Sequence, residues 1–182
     1  MSAPSFRRYD PRDSEAVVRL HEWAMREAGT DPDRIPGSDD VRDVQSSYLD
    51  AGGEFLVGTV GEDGWQESTE ARGQLPETFD GRVVAIGGFL PNEVGHADER
   101  TVPGAAELHR MRVAPPCQGR GYGRALLDAL ERRVGAAGYE RVLATTARRQ
   151  ERAVTLYERA GYTVVGESTF GEYDLVHFEK EV

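Results

Sequence analysis

Cysteine is nearly absent from this chain. Cys117 stands alone, so no disulfide can close within it and no cluster of thiols is present to hold a metal. Lysine is as scarce, with Lys180 the single lysine among 22 basic residues. A phosphate loop of the Gly-Lys-Ser/Thr kind is therefore excluded, because it needs a lysine beside its glycines. No apolar run approaches the length that spans a bilayer, and the first residues hold no signal-peptide core, so a cytoplasmic location and no membrane partner are expected. Hydrophobic residues make up 38% of the chain, low but compatible with a globular core. Positive charge is in deficit: Lys+Arg 22 against Asp+Glu 32 leaves a net charge of −10. An acidic surface repels phosphate backbones, so nucleic acid is not an expected partner. Two origins fit an acidic, lysine-poor chain. One is a high-salt cytoplasm, where salt screens the self-repulsion; the other is a GC-rich genome that favours arginine. The first is preferred. His21, His96, His109 and His177 lack metal-ligand spacing, so no metal is expected.

What is present centres on residues 107–123. Glu-Leu-His-Arg-Met-Arg-Val, from Glu107 to Val113, reads as a strand. Gly119-Arg120-Gly121-Tyr122-Gly123 reads as a glycine-rich turn, and 124–137 as an amphipathic helix with Leu126, Leu127, Leu130 and Val134 on one stripe. A strand, a glycine turn and a helix N-terminus make an anion site. The turn gathers backbone N–H groups, the helix dipole adds positive charge, and glycines let a phosphate approach. Arg120 and Arg124 stand ready to add charge-assisted bonds. The dinucleotide fingerprint G-x-G-x-x-G fails, because its last glycine would fall on Arg124 or Leu126.

Gln118-x-x-Gly121-x-Gly123 does fit a pattern. It resembles the Gln/Arg-x-x-Gly-x-Gly/Ala motif of the GNAT superfamily of N-acetyltransferases. Downstream, Ala153-Val154-Thr155-Leu156-Tyr157-Glu158-Arg159-Ala160-Gly161-Tyr162 is similar to the family's A-x-x-L-Y-x-x-x-G-F/Y segment. The two occur in the family's order, which is more specific than either alone.

The rest of the chain agrees with a mixed α/β domain covering 1–182. Strands are predicted over 5–9, 54–60, 82–90, the Glu107 stretch, 141–146, 162–167 and 173–178. Helices are predicted over 14–28, 39–51, 124–137 and 150–160, with Asp13 as the N-cap of the first. Residues 61–81 are too long and polar for a hairpin turn and read as an insertion, a solvated ornament in preference to a mobile flap. Residues 91–104 form a second polar loop, nearer the proposed chemistry. This order resembles the family's single-domain fold, a mixed sheet with helices on both faces and a split between the fourth and fifth strands.

The resemblance implies acetyl transfer from acetyl-CoA, as cosubstrate, to a small-molecule or peptide amine, by a monomer or homodimer. It implies that Met111, Arg112 and Val113 offer backbone groups to the pantetheine, with an N–H near Met111 polarising the thioester carbonyl. It implies that Gln118, Gly119, Arg120, Gly121, Tyr122, Gly123 and Arg124 hold the pyrophosphate, flanked by Gln150 and Ala153. Gln150 stands where the family often has asparagine. Tyr157 matches the family tyrosine that bonds the departing sulfur; its plain alternative is a core aromatic. Glu107 matches the catalytic glutamate of the histone-acetylating branch, a general base for an amine protonated at neutral pH. Its alternative is an exposed strand glutamate or a partner for Arg110 or Arg112. His109 is an outside candidate for an accessory base. Two other functions remain open: a non-catalytic acyl-CoA sensor, and a hydrolase using Cys117 at the mouth of the helix.

Overall fold

The computed structural model describes residues 3–32, 38–61, 74–94 and 99–182. The chain opens with β1 (Ser5–Arg8) and α1 (Ser14–Glu27). Val17, Leu20 and Ala24 recur at helical spacing and are buried, so α1 lays one face on the sheet. Asp13 precedes α1 but does not cap it with its side chain. Its carboxylate accepts from both terminal nitrogens of Arg7 at 2.7 and 2.8 Å, from the Asp10 N–H at 2.9 Å and from the Thr78 hydroxyl. Asp10 does the capping instead, on a 3-10 turn, Pro11–Asp13, that leads into the helix.

The helix predicted over 39–51 is a 3-10 turn, Ser38–Arg42, followed by a π-helical turn, Gln45–Leu49. Short polar residues compete for the backbone here: Asp43 accepts from the Ser46 N–H at 3.2 Å. The apolar positions Val41, Val44 and Tyr48 still reach the core.

β2 (Glu54–Val60) has the predicted bounds. It is followed by β3 (Glu77–Thr78) and β4 (Gly81–Pro91). Most of the insertion, 62–73, lies outside the described residues. Its end is packed, contrary to a solvated ornament: β3 pairs with the start of β4, Leu75 is buried in the core, and Arg7 Nε donates to Asp80 at 2.5 Å. Then come β5 (Ala105–Val113), α2 (Tyr122–Ala136), β6 (Arg141–Ala147), α3 (Glu151–Arg159), β7 (Thr163–Phe170) and β8 (Tyr173–Glu181).

The strands form one sheet in the order β1-β2-β4-β5-β6-β8-β7, with β3 beside β4. β5 and β6 run parallel and the other neighbours antiparallel. Its two faces are both covered. On one, Leu20 of α1 and Tyr48 pack with Phe55, Val57 and Ile86. On the other, Leu126, Leu127 and Leu130 of α2 and Tyr157 of α3 pack with Leu108, Ala144 and Phe178. Each large apolar side chain taken fully out of water contributes about 1.5–3 kcal/mol.

Candidate active site

The site begins where two strands part. β5 and β6 pair only from Ala105 with Arg141 to Leu108 with Ala144. Beyond that point β5 continues to Val113 and β6 to Ala147 without pairing to each other. A backbone edge that finds no partner strand is a site for an extended amide-bearing ligand. On the opposite edge, β5 bulges against β4 between Ile86 and Gly88. The bulge holds Arg110 at φ 53, a left-handed conformation for a non-glycine residue. Its Nε is gripped by Asp40 at 2.8 and 3.0 Å, and Tyr48 donates to the same carboxylate at 2.6 Å.

A cleft of about 1140 Å³ opens from this split. Met111, Arg112, Val113, Gln118, Gly119, Gly121, Gly123, Arg124, Gln150, Ala153 and Tyr157 all line it. Glu107, Arg120 and Tyr122 do not. Tyr122 packs its ring into the core, so only its backbone faces the turn. Arg120 turns back, donating Nε to the Pro116 carbonyl at 3.1 Å. Arg124 is engaged with Asp128 at 2.8 Å and with the Arg159 carbonyl at 3.2 Å.

The glycine turn has the geometry its residues suggest. Gly119 and Gly121 sit at φ +76 and +82, and a Cβ on either would project into open space. Gly121 is the N-cap of α2, and among the described residues no side chain caps that helix start. Its first N–H groups are thus left for another acceptor, beside the positive end of the dipole. Gln118 closes one side: its amide donates to the Val113 carbonyl at 3.3 Å and accepts from Arg152. The free edge at Met111–Val113 and the glycine turn at Gly119–Gly123 thus border one continuous cleft.

Tyr157 stands between the edge and the core. Its hydroxyl points at Met111 Sδ, 3.6 Å away, and its ring packs on Tyr162 and Phe178 with centroids 5.3 and 5.2 Å apart. Burial drives its phenol well above the ordinary range, the Glu107 charge pushes the same way, and Arg112 offsets part of it. Gln150 is the N-cap residue of α3, and its side chain accepts from the Thr146 hydroxyl at 3.1 Å.

Glu107 is no exposed strand residue, being only 1% accessible. Its Oε2 accepts from Asn92 at 3.2 Å and its Oε1 from Thr145 at 3.0 Å. The arginines weighed as its partners point elsewhere. Arg110 goes to Asp40, and Arg112 donates to the Met111 carbonyl at 2.9 Å and to Met25 Sδ at 3.4 Å. Arg112 has no carboxylate partner among the described residues; burial first, then the neighbouring Arg110, push it down to about 10. His109 is drawn to Glu99, 3.4 Å away, and stacks edgewise on Tyr48. Cys117 borders the cleft beside the glycine turn, but it is fully buried and packs in the core cluster with α1, so its thiol is not exposed to attack a bound substrate.

Sequence reading missed Thr145, His177, Asn92 and Asp40. They converge on the site from strands and turns far apart in the chain, so no spacing announces them.

A family model for the acetyltransferase (GNAT) family matches residues 38–162, more than half of the chain. No curated protein matches it in sequence. Solved structures do match in fold. A GNAT-family acetyltransferase from Staphylococcus aureus Mu50 is 14% identical with a TM-score of 0.71, over 98% of this chain and 99% of that one. The protein yncA from Salmonella typhimurium, provisionally assigned as an acetyltransferase and solved with its cofactor acetyl-CoA, is 21% identical with a TM-score of 0.66, over 99% and 94%. A structure from Desulfovibrio desulfuricans, provisionally assigned to the same family, is 22% identical with a TM-score of 0.69, over 98% and 99%. With its parted strands, its uncapped glycine turn and this match, the chain belongs to the acetyltransferase (GNAT) family, whose members use acetyl-CoA.

Proposed function

We propose that this protein transfers the acetyl group of acetyl-CoA to a primary amine by direct attack within a ternary complex. The observation that carries the reading is the unpaired edge of β5 running straight into the uncapped glycine turn. Acetyl-CoA supplies an activated acyl group on a thiolate leaving group. The chain's residues orient it and manage charge. Met111–Val113 pair with the pantetheine amides, and a Met111 N–H polarises the thioester carbonyl beside the Arg110 bulge. The turn from Gln118 to Arg124 takes the pyrophosphate through backbone N–H groups, with Arg120 and Arg124 released from their present partners to assist. Gln150 and Ala153 flank the donor. Tyr157 donates to the departing sulfur. Glu107 is the base that accepts the amine's proton.

The test is release of free thiol from acetyl-CoA across a panel of primary amines, including amino acids, polyamines and short peptides. Amine-dependent release is the expected result. Release without an amine would point to hydrolysis, and tight binding of acetyl-CoA with no turnover to a sensor.

A further inference from the structure

Glu107 cannot act alone. At 1% accessibility it is absent from the cleft wall, so an amine bound in the cleft does not touch it. Thr145 on β6 does line the cleft, and its hydroxyl is bonded to Glu107 Oε1 at 3.0 Å. The same hydroxyl lies 3.0 Å from His177 Nδ1, and His177 Nε2 lies 2.8 Å from the hydroxyl of Ser168. Strand register explains the alignment. Thr145 is directly opposite His177 across β6 and β8, so the two side chains share a face. Ser168 sits on β7, the edge strand beyond.

Counting protons fixes the orientation of this chain. A hydroxyl has one proton and two lone pairs. An ionised carboxylate only accepts, so the Thr145 proton goes to Glu107. His177 must then carry a proton on Nδ1 and donate it to Thr145, and as a neutral imidazole it accepts at Nε2 from Ser168. Thr145 is left with one lone pair, and the residue is half-buried at the cleft wall.

We propose that Thr145 is the group that takes the acceptor's proton, with Glu107 behind it as the sink and His177 as the residue that positions it. This rests on the acetyl-transfer reading above. One ammonium proton moves from nitrogen to Thr145 Oγ1 while the Thr145 proton moves to Glu107 Oε1. The freed amine forms a bond to the acetyl carbon, the carbon–sulfur bond breaks, and sulfur leaves with that electron pair. The second nitrogen proton ends on sulfur as CoA thiol. After product leaves, the Glu107 proton returns through Thr145 to water in the emptied cleft. Ammonium and acetyl-CoA thus become amide, CoA thiol and one released proton. His177 is a positioning residue: its Nδ1–H keeps the Thr145 proton turned toward Glu107, and Ser168 holds that tautomer, as second-layer partners hold a catalytic imidazole elsewhere.

The test uses the full chain with one working acceptor. Thr145→Val keeps the shape and removes the hydroxyl, and should lower kcat by about 10²-fold, the low end for a positioned proton-transfer group, with KM for acetyl-CoA nearly unchanged. Thr145→Ser should restore kcat to within a few-fold, which a purely structural loss would not predict. Nitrogen-15 spectra of wild-type His177 should show the Nδ1–H tautomer, a readout that needs no turnover. An Nε2–H tautomer would overturn the orientation. Full activity in Thr145→Val beside an inactive Glu107→Gln would show that the amine reaches Glu107 without Thr145, and would overturn the proposal while sparing the base. Full activity in both variants would overturn the base and the relay together. A wild type that acetylates no amine would overturn the acetyl-transfer reading itself.

Discussion

A phenol buried beside a carboxylate holds its proton. Tyr157 is such a phenol, raised chiefly by burial and further by Glu107. It therefore remains a hydrogen-bond donor at neutral pH and is a poor source of a fully transferred proton. A donor that acts only as negative charge grows on sulfur stabilises the transition state more than the bound substrate. Tyr157→Phe keeps the ring contacts with Tyr162 and Phe178 and removes the hydroxyl. Turnover is expected to fall by about 10²-fold with acetyl-CoA affinity unchanged. Measuring kcat where chemistry limits the rate, and affinity by calorimetry, checks it. An unchanged kcat would return Tyr157 to the core.

The packing of α1 against β5 has its own consequence. Both nitrogens of His21 are buried without a hydrogen-bond partner among the described residues, and one helical turn on, Met25 meets the Arg112 guanidinium. Burial, aided by the charges of Arg112, Arg110 and Arg42, pushes His21 down to about 3 from the ordinary 6.5. Between those two values the unfolded chain binds a proton here that the folded chain refuses. Stability therefore rises with pH across that window and is lost as pH falls below 6.5. His21→Leu removes this dependence. The stability of the variant relative to wild type is expected to grow on acidification, by up to about 1.4 kcal/mol per pH unit. Denaturant titrations of both proteins at several pH values below neutrality measure it, and parallel curves would mean that His21 protonates in place. The same interface shows why one element resisted sequence reading. The 39–51 stretch has helical apolar spacing, yet Asp40 is taken by Arg110 and Tyr48, and the backbone closes in 3-10 and π turns around that contact.

Across the whole molecule the charge is unbalanced, with 32 acidic against 22 basic residues. Much of the basic charge is spent on local pairs such as Arg7 with Asp13 and Asp80, Arg42 with Glu22, and Lys180 with Glu131. The excess acid is left to repel itself. Simple screening of that repulsion is largely complete by ~0.15 M salt, where the Debye length is about 8 Å. If the acidic surface is a high-salt adaptation, the melting temperature should keep rising through molar KCl. A melting temperature flat from there to about 2 M, beyond the reach of simple screening, would favour the GC-rich explanation.

Sequence alone determined the features that depend on residues near one another in the chain. β2 ends where its apolar run ends, and the turn at Gly119 and Gly121 takes the left-handed angles that only glycine adopts freely. The apolar stripe of α2 and its uncapped start follow from residue order in the same way. Tertiary structure decided the rest. The parting of β5 from β6 after Leu108, the bulge at Arg110, and the burial of Glu107 behind Thr145 come from pairing between strands distant in sequence. Register across a sheet is set by the packing of both faces at once. No local spacing encodes that Thr145 of β6 meets Glu107 on one side and His177 on the other.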